Sequence, residues 1–412
     1  MEFNSEFLAT LCARGYLHQL TDATALDSIM SSGAVTAYIG FDCTANSLHI
    51  GSLMQIMLLR YLQRFGHKPI VLLGGATTKV GDPSGKEKTR AMLSEDNISA
   101  NKEGILRVIK KFLSEDVVVV DNAEWLGNYG YLDFLREIGS KFSVNVMLGL
   151  ESVKSRLSRD QQLSFLEFSY VLLQSYDFVE LHKRYGCILQ IGGSDQWGNI
   201  VSGIDLARKM GCPQLYGVTT PLLLNSSGAK MGKTADGAIW LDETLYSPYN
   251  YWQYFRNVPD QDVGRLLRLF TELPLSEIER LEALKGEELN EAKKILATAV
   301  TSICHGAEVA LQVENQALKV FEHNDHDELR SITFSRKTLG QGIPISKLLH
   351  MWGLEESISA GRRLIRGGGC KINGDVVLDE EKLLNCGDFD DNGGYVAVFC
   401  GKKRRLKVVL ED

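Results

Sequence analysis

The chain has 412 residues, 44% of them hydrophobic and 24% charged, with a net charge of −7. That balance describes a globular protein too long for one ordinary core, and a net acidic chain is not coated all over with nucleic acid. No apolar run is long enough to span a bilayer, and the first residues carry acids rather than a basic and then apolar leader, so a cytoplasmic protein without a membrane partner is expected. Eight scattered cysteines form no CxxC pair, which predicts reduced thiols and no structural metal.

In chain order, five short apolar runs predict buried strands: "VTAYIGF" from Val35, "PIVLLGG" from Pro69, "VVVVD" from Val117, "CILQIGG" from Cys187 and "VTTPLLL" from Val218. The last extends the strand through Pro221–Leu224. Between them, helical spacing recurs; Met54, Met57, Leu58, Tyr61, Leu62 and Phe65 form one such stripe, closed by Gly66. This alternation predicts an α/β domain with a Rossmann-like parallel sheet over residues 1–245, binding ligands at the carboxyl ends of its strands. The interval from Trp125 to Leu166 is too long for one crossover. It predicts a helical insertion, and its Phe134, Leu135, Ile138, Phe142, Val144, Val146 and Leu148 make it a candidate dimer surface.

From residue 246 to about 325 the pattern is wholly helical, with a capping box expected at Ser276 and Glu279. A polar stretch from Asn324 to Gly342 reads as a linker. Residues 343–412 then form a small α+β unit, with a helix over Ser357–Ile365 and a hairpin in "KINGDVVL". This unit holds 11 basic and 11 acidic residues, yet no acid falls between Gly361 and Lys371. Such segregation fits an RNA-facing surface built on Arg362, Arg363, Arg366 and Lys371, and equally a solvated basic face.

Two motifs bear on chemistry. "SSGAKMGKT", Ser226–Thr234, places two lysines among glycines near the end of the sheet domain. It is not a phosphate-binding P-loop, because the required first glycine falls on Ser227; "GDPSGKE" fails likewise at Val80. A P-loop kinase is thereby excluded, and taken alone the lysine run reads as a basic turn. The second motif, "TANSLHIGSL", puts Thr44 and His49 before a helix whose free N–H groups suit a polyphosphate. Further on, Tyr170, Gln174 and Asp177 share one face of a helix, and Asp195 and Gln196 open another. Structural hydrogen bonding would also explain the trio, and capping would explain Asp195.

Together, "HIGS" (His49–Ser52) and "KMGKT" (Lys230–Thr234) resemble the HIGH and KMSKS signatures of class I aminoacyl-tRNA synthetases. The runs "YIGFDCTANSLHIG", "LLGGATTKVGDPSGK", "FLEFSYVLLQSYDF" and "LQIGGSDQWGNI" resemble bacterial-type tyrosyl-tRNA synthetases, and the likeness covers nearly the whole chain. Ser52 stands where that family often has His, and Cys43 where Pro is common. The resemblance implies tyrosine activation by ATP, with Mg²⁺, followed by transfer to tRNA(Tyr), in a homodimer. A tryptophanyl enzyme of the same class and a non-catalytic RNA-binding paralogue are the alternatives.

It further implies that Thr44 and His49 hold the outer phosphates while Lys86, Arg90, Lys230 and Lys233 close over the pyrophosphate. Asp82, Tyr170 and Gln174 would take the substrate ammonium, Tyr38 and Asp177 the phenol hydroxyl, and Gln196 the carboxyl region. The ATP site would extend over Gly40, Asp42, Gly51, Gly193, Asp195, Met231 and Thr234. Residues 246–325 would bind the anticodon. An attacking carboxylate needs no general base, so catalysis reduces to positioning and charge stabilisation.

Overall fold

The computed structural model describes residues 2–84, 92–226, 228, 230–234, 237–322, 331–335, 339–340, 342–373, 375–389, 395–401 and 404–411. Two compact units divide the chain, residues 1–313 and 314–412.

The first unit is built on a six-stranded sheet: β1 (Gln19–Leu20), β2 (Thr36–Asp42), β3 (Lys68–Gly74), β4 (Val118–Asp121), β5 (Leu189–Gly193) and β6 (Tyr216–Thr220), in the order β1-β6-β5-β2-β3-β4. All neighbours pair in parallel except the edge strand β1, which runs against β6. The inner strands are buried nearly end to end because helices cover both faces, which is why their sequences are apolar runs rather than alternations. The sixth strand stops at Thr220 and does not continue through Pro221–Leu224: proline brings no N–H to a ladder, and Leu224 makes only an isolated bridge to Lys230. The two-residue β1, too short to show a period, escapes the sequence pattern.

The strand order reverses between β2 and β5. Those two strands pair only at Ala37↔Leu189 and Tyr38↔Gln190 and then part, so a crevice opens above Tyr38. One wall is the helix Phe165–Tyr185. It starts in a full capping box between Ser164 and Glu167 and ends on Gly186, whose φ of 64° closes the last turn without a Cβ clash. Glu167 is buried against the equally buried Arg156, 3.4 Å away. These contacts hold Tyr170, Gln174 and Asp177 toward the sheet.

A helical region over Pro248–Glu322 follows. The Arg14 guanidinium donates to the carbonyls of Arg268, Thr271 and Leu273, and Arg60 pairs with Glu272 at 2.5 Å, which ties the helix Val263–Phe270 and the turn after it to the sheet layer. The expected capping box at Ser276 is absent. The helix begins at Leu275 with Pro274 at the cap position, so Ser276 already lies inside the first turn and makes no cap bond. The end of the lysine motif forms a two-stranded ribbon, β7 (Lys233–Thr234) with β8 (Gly237–Ala238).

The second unit has a sheet of β9 (Ser331–Ser335), β11 (Cys370–Ile372), β12 (Asp375–Val377), β14 (Tyr395–Cys400) and β15 (Arg404–Glu411), ordered β12-β11-β14-β15-β9, with β10 (Ile343–Pro344) and β13 (Leu383–Leu384) paired separately. The helices Ile345–Met351 and Ile358–Arg366 share its core, which includes Leu348, Leu349, Ile365, Val396 and Val398. Part of the stretch read as linker is therefore sheet. A five-residue strand at an edge gains its partner only when β15, some seventy residues later, lies beside it.

Candidate active site

The crevice is a cleft of ≈ 370 Å³ lined by residues from β2, β5, the helix Phe165–Tyr185, the start of the helix Ile50–Arg64 and Pro221–Leu223. Its deep end is aromatic and acidic. Tyr38 points from β2 with its ring edge-on to Phe178 at 5.3 Å between centroids; its hydroxyl is buried and has no hydrogen-bond partner among the described residues. Burial, then the neighbouring Asp177, hold that hydroxyl far above its ordinary pKa, so it stays protonated. Asp177 is buried and accepts from Trp125 Nε1 at 2.8 Å and Asn122 Nδ2 at 3.0 Å.

Desolvation outweighs those two donors and pushes the Asp177 carboxyl up to about 8. A free aspartate titrates near ~4, so between these values the native chain holds a proton that the unfolded chain has released. The raised pKa therefore supports the fold fully at low pH and loses that contribution as pH rises through about 8. In Asp177→Asn this part of the slope should vanish. Urea midpoints compared with those of the wild-type chain across that window measure it, and identical slopes would show that Asp177 is not the group.

Nearer the mouth, the Tyr170 hydroxyl donates to Asp42 Oδ2 at 3.2 Å, and Thr77 donates to Asp42 Oδ1 at 2.9 Å. Gln196 donates to Asp82 Oδ2 at 2.7 Å, while Asn199 Nδ2 donates to both Gln174 Oε1 (2.9 Å) and Gln196 Oε1 (3.2 Å). Asp195, at the end of β5, has its pKa raised by burial and then by Asp82, against a lowering from Lys230. This cluster of carboxylates and amide oxygens is the chemistry that holds an ammonium group.

At the mouth the two signature motifs meet. His49 is the N-cap of the helix Ile50–Arg64, its Nδ1 accepting from Gly51 N at 2.9 Å. The backbone around it is clamped by Ile50 N–H to Ile239 O (3.0 Å) and Leu241 N–H to Leu48 O (2.9 Å). Gly232, with φ of 106°, lies so near that a Cβ there would stand 3.0 Å from both Gly51 N and His49 Nδ1. Glycine is required at this contact on both conformational and steric grounds. Met231 is buried and bonds back to Leu223 O at 2.9 Å, and Lys230 is exposed beside it. Thr44 and Gly51 line the cleft here, as Gly40 and Gly193 do on the facing strands.

The structure thus brings together Tyr38, Asp42, Thr44, His49, Asp82, Tyr170, Gln174, Asp177, Asp195 and Gln196 around one cleft. Lys86 and Arg90 lie outside the described residues, and of Lys233 and Thr234 only the backbone is described. Residue-by-residue reading passed over Asn122 and Trp125, the two donors to Asp177, and Gln190, which lines the cleft from β5 opposite Tyr38. Asn122 sits just past the end of β4, so the rule that sites gather at strand ends pointed to it.

A strand-order reversal with phosphate-suited N–H groups at its mouth and an acid pocket at its floor is the site of a nucleotide-dependent activating enzyme. Residues 30–322 match the family model for class I tRNA synthetases (W and Y), and the chain belongs to that family. It is 69% identical to the tyrosine–tRNA ligase of Anaplasma marginale and 60% identical to that of Ehrlichia ruminantium, in both cases over all of this chain and all of the relative. Among solved structures, a C-terminally truncated mitochondrial tyrosyl-tRNA synthetase from Aspergillus nidulans superposes with a TM-score of 0.69 at 31% identity, covering 76% of this chain and 94% of that one.

Proposed function

We infer that the chain is a tyrosine–tRNA ligase. Tyrosine's carboxylate attacks the α-phosphorus of ATP, pyrophosphate leaves, and the tyrosyl group passes from the adenylate to the 3′-terminal adenosine of tRNA(Tyr). The observation that carries this reading is the floor of the cleft: a buried acid beside a buried hydroxyl without a partner is a receptor for a phenol, whereas an indole has no group there that could accept from Tyr38. That sets aside the tryptophanyl alternative.

Each group has work to do in the first step. Asp82, Tyr170 and Gln174 hold the ammonium and so aim the carboxylate; Gln196 lies next to the carboxyl. Asp195 and Asp42 suit ribose hydroxyls, with Gly40 and Gly193 leaving room for the nucleoside. Thr44 and the helix N-terminus behind His49 hold the outer phosphates, over which Lys230, Lys233, Lys86 and Arg90 concentrate positive charge as pyrophosphate forms. Among the described residues no cluster of His, Cys, Asp or Glu could hold a metal by itself. Magnesium is expected as an ion carried on the triphosphate. The cytoplasm, where tRNA is charged, is the assigned compartment; among the described residues no helix is long and apolar enough to cross a membrane.

For the second step, a cavity of ≈ 910 Å³ shares Asp195 with the cleft and is lined by Arg159 and Lys209, which suits the 3′ end of an RNA. Residues 246–325 are assigned to the anticodon and residues 343–412 to further RNA contacts. Arg362, Arg363, Arg366 and Lys371 are all exposed, though Arg362 and Arg366 pair with Glu381 and Glu380 at 2.9 and 2.8 Å. ATP–pyrophosphate exchange with each amino acid in turn tests the first step, and only tyrosine should support it. Cutting after Glu322, so that β9 leaves with its sheet, should preserve exchange and abolish most tRNA charging. A truncated chain that charges normally would remove the second unit from the RNA reading.

We also assign a symmetric dimer to the insertion. Its Tyr131, Leu132, Val144, Val146, Leu148 and Phe165 are 43–74% exposed, an apolar surface in need of cover. Phe134, Ile138 and Phe142, expected on that surface from sequence, instead pack inward on Tyr176 and Val179, because the short helices here fold back on the sheet domain. The chain should sediment as a dimer at micromolar concentration and as a monomer after Leu132→Asp with Val146→Asp; a monomeric wild-type chain would overturn the assignment.

A further inference from the structure

Cys370 and Cys400 face each other across β11 and β14 in the second unit. Which kind of facing pair they form follows from the ladder. Gly401 N–H donates to Gly369 O at 2.6 Å and Asn373 N–H to Ala397 O at 2.8 Å, so the 369/401 and 373/397 pairs are hydrogen-bonded positions. Positions alternate along an antiparallel pair, which makes Cys370/Cys400 a non-hydrogen-bonded pair. There the Cα atoms approach to about 4.5 Å and the side chains lie closest. Disulfides need Cα atoms roughly 4.4–6.8 Å apart, so this pair sits at the short end of the permitted range. Both thiols are buried in the unit's core, within 1% of full burial, and both lie on the same face of the sheet.

We propose that Cys370 and Cys400 are a reversible redox pair, closing to an intrachain disulfide when a peroxide reaches them. The Cys370 sulfur attacks one peroxide oxygen, the O–O bond breaks, and water leaves with the thiol proton, giving a sulfenic acid. The Cys400 sulfur then attacks that sulfur, the S–O bond breaks, and a second water carries off the Cys400 proton. Two thiols have lost two electrons and one peroxide has become two waters. The pair lies at the end of the ladder, Cys370 opening a three-residue strand after the Gly367–Gly369 turn and Cys400 closing β14, so local fraying gives a small oxidant its access.

The other buried thiols contrast with this one. Burial pushes Cys43, Cys187 and Cys304 up to about 12, away from reactivity, whereas the hydrogen bond from Cys400 moves Cys370 downward.

The test treats the full chain with hydrogen peroxide, alkylates it after denaturation and maps the peptides by mass. The expected product is a crosslink between the peptides of Cys370 and Cys400, lighter by two hydrogens and undone by dithiothreitol. In Cys400→Ala, with its fold checked by circular dichroism, Cys370 should instead trap dimedone as a sulfenic acid. The exposed Cys12 serves as the internal reference. The proposal is overturned if both thiols of the wild-type chain remain alkylatable at a dose that has consumed Cys12, or if they are found joined only to other cysteines.

Discussion

Lys230→Ala should slow adenylate formation by about 10²–10³-fold in single-turnover experiments and leave tyrosine affinity unchanged. The loop that carries Lys230 is anchored on both sides. Leu224 bridges to Lys230, Met231 bonds to Leu223, and Gly232 is seated against His49 and Gly51. The loop backbone is thus held against the helix N-terminus proposed for the outer phosphates, and the charge of Lys230 reaches Asp195 in the cleft. The proposed tyrosine pocket is at the other end, beneath Tyr38 and Asp177. Removing a charge aimed at the transferring phosphate costs about 3–4 kcal/mol in the transition state and little in the ground state. Weaker tyrosine binding at an unaltered rate would place Lys230 in substrate recognition instead.

Phenylalanine should be rejected by a factor of about 10⁵ in kcat/KM, a value long established for tyrosyl enzymes of this class and taken over from them rather than derived from this cleft. The smaller ring fits any pocket made for tyrosine, so exclusion has to come from polar groups that it would leave unsatisfied. Asp177 is buried, held by Trp125 and Asn122, and among the described residues the Tyr38 hydroxyl has no hydrogen-bond partner, which a phenol could supply. Tyr38→Phe removes one of these two demands. It should weaken tyrosine use by about 0.5–1.5 kcal/mol, roughly a two- to thirteenfold loss, and leave phenylalanine use unchanged. Pyrophosphate exchange with both amino acids gives the ratio; an unchanged ratio in the variant would mean that the hydroxyl is read elsewhere.

Much of this was legible in the residues because the sheet domain follows simple rules. Buried parallel strands are apolar runs, and ligands gather where strands end. Tyr170, Gln174 and Asp177 were visible as one helical face, and the nearness of the two signature motifs followed from their positions after the first and last strands. What stayed hidden is non-local. Asn122 and Trp125 matter only because β4 ends beside a helix that starts some forty residues later. The strand β9 needs a partner from the far end of the chain. The capping box at Ser276 was plausible locally and was displaced by one proline, while the real one at Ser164 begins the helix that carries the pocket.

The brevity of the β2–β5 ladder has a consequence for redesign. Beyond Tyr38↔Gln190 the facing edges of Ile39–Phe41 and Ile191–Gly193 make no rungs with each other, so a molecule entering there meets peptide groups as well as side chains. Recognition written in main-chain atoms does not change when side chains are exchanged. The half proposed for the nucleotide, which adds these main-chain groups to Asp42, Thr44 and Asp195, should therefore be less open to exchange than the half proposed for the amino acid, which rests on a handful of replaceable side chains. Altered substrate choice can be sought at Tyr38, Asp177 and their neighbours without rebuilding the machinery that spends ATP.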